Sequence, residues 1–571
     1  MITSFAGWTR FVTGLATAVG AVAGSMVRAP HRFEGILPKS PGVPTLPQDR
    51  KNLHDSRDSG AWTATRLKDT LRTNLDGQRV IVVANREPVI HEWMGNQMNV
   101  RHPASGLVTA LEPVIRACSG VWVAHGGGSA DRAASDAEGR FAVVGGDTAY
   151  SLRRVWLAPE EERGYYYGYA NGALWPLCHL APAQPVFRRE DWAQYRAVNQ
   201  RFADAVAAEA DSEEPIVLVQ DYHFALVPRL LRERFPRATI LTFWHIPWPN
   251  AERFGICPHQ EALLDGLLGS SIVGFQTPLH CHNFLESVDR SLEARVARDE
   301  MSVVHHGRTT AVRAYPISVE WPNRFSVDSP NVEECRRLVR AEYSLSENAR
   351  VVVCVDRLDY TKGIEERLQT FERVLERWDH AGSSLAIIQI AAPSRTLIDR
   401  YREFGDRVRA HVERINARFA DRADPALIFV NRHCEPREIF RYYRAADACY
   451  VSSLHDGMNL VAKEFVSARA DERGVLVLSR FAGASRELTE ALVVNPYDID
   501  SVADTLLVAL DMPVDEQQER MRAMREQVAA HNVYGWAGRM LIDAATWRQR
   551  EQMLRRLTSG LPEAPPRAGL L

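Results

Sequence analysis

The 571-residue sequence predicts an α/β protein made of two successive doubly wound, Rossmann-like units with the active site in the cleft between them. Two observations carry this. Short runs that are apolar on both faces recur with amphipathic segments between them, the pattern of buried parallel strands joined by right-handed helical crossovers. The alternation also breaks off once, after Tyr315-Pro316-Ile317-Ser318 and around Trp321-Pro322, and then restarts. Ligands of such sheets bind beyond the carboxyl ends of the strands, so the facing edges of the two sheets are where chemistry is expected.

Residues 1–75 differ from the rest. Residues 11–27 are uncharged and rich in Gly, Ala and Thr, flanked by Arg10 and by Arg28, His31 and Arg32. That length is near the lower limit of about 17–25 residues for a membrane span, but the stretch is weakly hydrophobic. It is read as an extension making membrane contact; a signal-like segment and a peripheral anchor are the other readings. Residues 38–59, rich in Pro, Asp, Ser and Lys, read as linker. The first unit, 76–320, has strands expected at 80–84, 121–124, 216–219, 239–243 and 271–275, and helices at 107–117, 191–208, 224–233 and 261–268. The second, 321–533, has strands at 350–355, 384–390, 426–430, 448–451, 475–478 and 492–494. Its helices fall at 364–377, 397–417, 436–445, 460–470 and 501–509. A long helix at 534–557 and a disordered tail at 558–571 complete the chain.

Composition narrows the function. Hydrophobic content of 46% and charged content of 25% belong to a soluble globular protein. The formal net charge of −3 gives no reason to expect a nucleic-acid partner. The eight cysteines are scattered singly, without a CxxC pair, and several sit in apolar runs. This argues for core thiols in a reducing, cytoplasmic compartment and against a disulfide framework or structural zinc.

The stretch His455-Asp456-Gly457-Met458-Asn459-Leu460-Val461-Ala462-Lys463-Glu464 joins a strand to a helix. Gly457 supplies backbone freedom, Asn459 is placed to cap, and the helix start offers free N–H groups to an anion. Other strand ends carry similar chemistry. Asn85-Arg86-Glu87-Pro88, Asp221-Tyr222-His223 and His245-Ile246-Pro247 fall in the first unit, and Ser105-Gly106 opens a helix that a phosphate could approach closely. In the second unit, Arg357 and Lys362, with Gly363 starting a helix, form a cationic pair suited to a diphosphate, and Arg395 follows another strand. Arg86 and Arg395 could clamp a second phosphate across the cleft. Tyr166 and Trp175, within an aromatic run at 164–176, offer flat surfaces to a sugar, the alternative being a packed loop or lid. No acidic Asp-X-Asp pair stands at a strand end to hold Mg²⁺; Asp498-Ile499-Asp500 reads as a helix cap, so no metal cofactor is expected.

These motifs, in this order, resemble the trehalose-6-phosphate synthase family of retaining GT-B glycosyltransferases over roughly residues 80–513. The signposts also include Leu174-Trp175-Pro176, Gly274-Phe275-Gln276-Thr277, Pro393-Ser394-Arg395 and Phe481-Ala482-Gly483-Ala484. The resemblance implies transfer of glucose from UDP-glucose to glucose 6-phosphate with retention, and no cofactor. By position, it implies Arg357 and Lys362 on the donor diphosphate, Glu464 on the ribose, and Leu460, Val461, Ala462 and Lys463 around the donor. It implies Asp456, Gly457, Met458 and Asn459 on the glucosyl hydroxyls, with Ser105 and Gly106 also on the donor side. Cys434 would contact the base through its backbone, His245 would sit by the donor sugar, and Asp221 would stand at the reaction centre. Arg86, Tyr166 and Arg395 would take the acceptor, with Trp175 and Ile246 shaping its pocket. A homo-oligomer is expected. Three departures concern substrate contacts: Ser105-Gly106 replaces paired glycines, His125 stands where many members carry tryptophan, and Asn85-Arg86-Glu87-Pro88 resembles glucosylglycerol-phosphate synthases. That last activity, a UDP-sugar epimerase and a non-catalytic regulatory subunit are the alternatives.

Overall fold

Ile81 and Val83 point to one side of their strand and Val80, Val82 and Ala84 to the other, and all five are buried. A strand covered on both faces explains the unbroken apolar run, because neither face can carry polar groups without stranding them from water. The computed structural model describes residues 61–559 apart from 76, 103–105, 146–147, 181–182, 328 and 380–382. The 11–27 stretch, the 38–59 linker, Ser105 and most of the C-terminal tail lie outside the described residues.

The first lobe contains β1 (Val80–Arg86), β2 (Ile90–Met94), β3 (Gln97–Arg101), β4 (Val121–His125), β5 (Arg140–Gly145) and β6 (Thr148–Val155). It continues with β7 (Ile216–Gln220), β8 (Thr239–Phe243), β9 (Ile272–Phe275), β10 (Arg295–Ala297), β11 (Ser302–His305) and β12 (Arg308–Ala314). Ten of these strands form one sheet in the order β10-β11-β12-β9-β8-β7-β1-β4-β6-β5. It is parallel from β12 through β6, with antiparallel strands added at both ends. The order reverses between β1 and β7. The second lobe contains β13 (Arg350–Arg357), β14 (Leu385–Ala392), β15 (Leu427–Val430), β16 (Ala448–Val451), β17 (Val475–Ser479) and β18 (Leu492–Val494). Their order β15-β14-β13-β16-β17-β18, parallel throughout, reverses between β13 and β16. Each reversal opens a crevice at the carboxyl ends of two strands whose crossovers leave in opposite directions.

The structure departs from the sequence reading in four places. Helix Ala64–Asn74, expected within the extension, belongs to the body, since Leu67 and Leu71 are buried and Trp62 packs on Gly538. The 164–176 run is no loop: Arg163–Leu174 forms a wide, π-type helix that continues into the turn Trp175–Cys178. The sheet edges β5, β6 and β10–β12 and the β2–β3 hairpin were not expected, and neither was helix Val514–Ala530. The last helix, Val533–Ser559, returns to the first lobe, where Trp536 meets Phe243 with ring centroids 5.2 Å apart.

Candidate active site

In the second lobe the reversal lies between β13, which ends in Arg357, and β16, which leads into the His455-to-Glu464 stretch. After β13 the Asp359 carboxylate accepts from the Thr361 N–H (3.0 Å) and hydroxyl (2.9 Å), closing the short turn that aims Lys362. Gly363 takes φ +64 there and lies so close to the Ser452 carbonyl that a Cβ would stand 2.4 Å from it. Lys362 Nζ meets Asp456 Oδ2 at 2.5 Å, and Asp456 also accepts from Ser453 Oγ (3.1 Å) and Asn459 Nδ2 (3.2 Å). Burial alone would raise the Asp456 carboxyl; the Lys362 ammonium reverses this and holds it at about 2. Asn459 caps helix Leu460–Ala468, its Oδ1 accepting from the Ala462 N–H at 3.2 Å. Glu464, one turn inside, has the Tyr443 hydroxyl at 3.2 Å as its one side-chain partner among the described residues, and burial pushes its carboxyl up to about 7.

In the first lobe, Arg86 and His125 stand opposite one another at the ends of β1 and β4. The π-type helix rests on this edge through Tyr165, whose hydroxyl donates to Asn85 Oδ1 at 2.9 Å. Asn171, accepting from the Tyr222 hydroxyl (2.9 Å) and donating to the Tyr166 carbonyl (2.8 Å), ties the helix to the Asp221 turn. Tyr166 is thereby stacked flat on His223, with centroids 5.7 Å apart and planes 8° off parallel. Its phenol also receives an Arg86 N–H at 3.4 Å. Burial opposes its ionisation, yet the fields of Arg86, Arg395 and Arg357 together bring it down to about 8. From the other lobe Arg395 covers the Trp175 ring at 3.9 Å and Arg357 stands 5.3 Å from it. Arg395 also donates to Asp359 Oδ2 (2.6 Å) and the Tyr401 hydroxyl (2.7 Å). Arg86 and Arg357 have no carboxylate partner among the described residues, so the edge carries surplus positive charge.

Asp221 adopts φ +74 and receives the His245 N–H at 3.1 Å. Burial pushes its carboxyl up to about 7 against the pull of the Tyr222, His245 and Ile246 N–H groups. His245 is brought down to about 3 by burial, so the ring is neutral; its Nε2 lies 2.7 Å from Gln220 Oε1. Asn459 (φ +77) and Arg395 (φ +48) share the left-handed backbone with Asp221. Such residues cost about 1–3 kcal/mol each and collect where a ligand is held. The lobes touch here: a Cβ on Gly457 would lie 2.2 Å from the His245 carbonyl.

Other expected residues take a range of environments. The Lys463 ammonium is buried, paired with Glu487 and donating to the Ile317 carbonyl at 2.7 Å, so its side chain is engaged within the protein. The Cys434 thiol is buried and raised to about 11, leaving its backbone for contact. Met458 and Ile246 are buried, whereas Leu460 and Val461 are half-buried at the helix start. Gly106 begins helix Gly106–Cys118. Glu87 does not reach an acceptor: it pairs with Arg154 at 2.7 Å and accepts from the Gly127 N–H at 3.2 Å. The glucosylglycerol-like Glu87 is therefore a support for the His125–Gly128 loop. Tyr401, and the roles of Asp359 and His223 within their motifs, were missed, because they come from partners distant in sequence. Asp498 caps helix Ile499–Asp511, and Asp500 pairs with Arg377. Among the described residues the one group with metal-ligand spacing is Asp265, His305 and His306, away from this cleft, where Arg229 engages Asp265 at two points.

Two Rossmann-type lobes meeting over a cationic, carboxylate-bearing cleft define a glycosyltransferase of the GT-B class. The chain belongs to glycosyltransferase family 20, whose model matches residues 78–546. The trehalose-6-phosphate synthase of Mycobacterium avium (strain 104) is 38% identical over 477 residues, covering 81% of this chain and 94% of that protein. That of Mycolicibacterium vanbaalenii is 38% identical over 478 residues, covering 82% and 96%. Among solved structures, one from E. coli bound with UDP-2-fluoro glucose gives a TM-score of 0.71 at 30% identity, covering 82% of this chain and 99% of that one. The alpha,alpha-trehalose-phosphate synthase (UDP-forming) from Burkholderia xenovorans in complex with glucose-6-phosphate also gives 0.71 at 30%, covering 84% and 100%.

Proposed function

We propose that the protein transfers glucose from UDP-glucose to glucose 6-phosphate with retention at the anomeric carbon, giving trehalose 6-phosphate and UDP. The observation carrying this is that Arg86 donates to the Tyr166 phenol while Arg395 covers Trp175, a receptor for a phosphorylated sugar beside the second cationic pair of Arg357 and Lys362. The relatives' shared activity supports the same reading. Arg357, Lys362 and the N–H groups at the start of helix Leu460–Ala468 take the diphosphate, and Glu464 takes the ribose hydroxyls. Asp456, kept ionised by Lys362, grips the glucosyl hydroxyls. Arg86, Tyr166 and Arg395 hold the acceptor phosphate, with Trp175 and Ile246 as walls.

The reaction follows from this placement. The acceptor hydroxyl oxygen bonds to the anomeric carbon as the bond to the UDP oxygen breaks, on one face of the sugar. The acceptor proton passes to the departing phosphate oxygen. The protein supplies alignment and leaving-group stabilisation from Arg357 and Lys362. Asp221 and the neutral His245 orient the two sugars rather than forming a covalent bond.

A UDP-release assay with glucose 6-phosphate, glycerol 3-phosphate or no acceptor tests the reading. Release is expected with glucose 6-phosphate alone. Release with glycerol 3-phosphate but not glucose 6-phosphate would overturn the acceptor assignment, and sugar conversion without acceptor would overturn the transferase assignment.

A further inference from the structure

At the opposite end of the first sheet, where β8 and β12 begin, a cavity of about 530 Å³ opens between the strands and helix Val533–Ser559. Five arginines line it: Arg232, Arg237, Arg308, Arg548 and Arg555. Two carboxylates stand against them. Glu551 is in the lining, and Glu214 pairs with Arg237 (3.4 Å), Arg548 (3.3 Å) and Arg555 (3.5 Å). Arg232 is buried with 7% exposure and has no ion-pair partner among the described residues. Its N–H groups go to the carbonyls of Gly269, Pro236 and Ala238 and to Ser271 Oγ. Arg308 donates to the Pro236 carbonyl at 3.1 Å and also has no ion-pair partner among the described residues. Burial and the neighbouring cations pull the Arg232 guanidinium down to about 10. Carbonyls hold the Arg232 N–H groups and Glu551 opposes the neighbouring cations, yet the five arginines outnumber the two carboxylates, a balance that an added anion improves.

We infer that this cavity binds a small, multiply charged phosphorylated anion at a regulatory site separate from the catalytic cleft. Guanidiniums match phosphate oxygens in two-point fashion, and the volume falls within the roughly 300–1,000 Å³ of small-molecule sites. Thr309 also lines the cavity, whereas the buried Ser270 hydroxyl is bonded to Thr242 and Ser271 Oγ accepts from Arg232. The ligand bridges two separate parts of the fold. Arg232, Arg237 and Arg308 belong to the sheet end, whereas Arg548 and Arg555 belong to the C-terminal helix. The first turn of that helix carries Trp536, which packs on Phe243 and lies 6.3 Å from His245. An anion in the cavity therefore fixes the helix whose other end backs the donor-side histidine.

The test is hydrogen exchange read by mass spectrometry on the full chain, with and without inorganic pyrophosphate. Wild type and Arg357→Ala are both expected to gain protection at 232–239 and 545–556, the second variant weakening only binding in the cleft. Arg308→Glu, an exposed position with one carbonyl contact, is expected to bind pyrophosphate at this site about tenfold or more weakly, with the exchange of the unliganded chain unchanged. Arg308→Gln serves as the milder second variant, with a smaller loss in the same direction. Protection confined to 357–364 and 456–464, or undiminished affinity in both Arg308 variants, overturns the site.

Discussion

Glu464 and Asp456 lie on one turn, yet one carboxyl is pushed up to about 7 and the other held at about 2. The cause is local: Asp456 has Lys362 against it, whereas the side-chain partner of Glu464 among the described residues is a tyrosine hydroxyl. A ribose diol donates two hydrogen bonds, so the ionised Glu464 is the better acceptor. UDP-glucose affinity is expected to rise severalfold from pH 6 to pH 8, and Glu464→Gln to bind weakly with that rise flattened; titration calorimetry reads both. The same burial has a stability consequence. The folded pKa lies above the unfolded value of about 4.3, so the folded state keeps the proton longer and loses stability as pH rises from that value through about 7. Glu464→Gln should therefore melt higher than wild type at pH 8 and alike at pH 4. Arg357 makes a cleaner test of catalysis because it has no ion-pair partner among the described residues, and Asp359, which feels its charge, keeps Arg395. Arg357→Ala is expected to cut turnover about 10³-fold or more while leaving the melting temperature nearly unchanged. Arg357 was legible in sequence because it ends an apolar strand and Asp456 because it follows one closely, whereas Glu464 was legible only through its motif's resemblance to the family. Asp359, which orients Arg395 from 36 positions away, and the Glu87–Arg154 pair, 67 apart, were not. Nothing local in sequence reports such pairings.

At the scale of elements, the turn between β16 and helix Leu460–Ala468 is held by backbone contacts as well as by the Asp456 and Asn459 side chains. The Asp456 N–H donates to the Phe481 carbonyl (3.0 Å), and the Ala484 N–H to that of Met458 (2.7 Å). A Cβ on Gly483 would come within 2.1 Å of the Gly457 carbonyl, and one on Gly457 within 2.2 Å of the His245 carbonyl. Neither neighbour is a flexible side-chain end that could step aside. Gly457→Ala is expected to lose about 1–3 kcal/mol, seen as a lower urea midpoint, and to raise KM for UDP-glucose by displacing Asp456. The parallel strands were legible for the reason Val80 to Ala84 illustrate, burial on both faces. The edges β5, β6 and β12 were not, because strand residues such as Arg140, Arg153 and Arg308 make them read as polar. Arg154 sits in β6 fully buried, its charge met by Glu87 and Asp131, an arrangement that hydropathy cannot distinguish from a loop. The π-type helix escaped for a different reason: its apolar positions follow neither the strand nor the α-helical period.

For the whole molecule, the question is what fixes one lobe against the other, since phosphate and diphosphate groups must be presented from facing edges. Part of the answer is Lys463. Its ammonium leaves the donor-side helix and reaches the Ile317 carbonyl, in the segment joining β12 to β13, while pairing with Glu487. The Ile317 N–H in turn donates to Gln276 Oε1 (3.0 Å), whose Nε2 donates to the His245 carbonyl (3.3 Å), the same oxygen that faces Gly457. One chain of contacts thus runs from the helix after the Asp456 turn to the histidine of the first lobe. Removing only the ammonium leaves Glu487 and a carbonyl without their cation, which typically costs about 3–5 kcal/mol for a buried pair. Lys463→Met should therefore lower the denaturation midpoint substantially and broaden unfolding, as the lobes lose their common anchor. Lys463→Met/Glu487→Leu, which removes both charges of the pair and leaves Arg539 with Asp543 beside it, should recover most of the stability. It should not recover the acceptor KM, because the link to Ile317 stays broken. If the double variant recovers both, Lys463 serves only the fold of its own lobe; if the single variant already matches wild type, the pair carries no weight between the lobes.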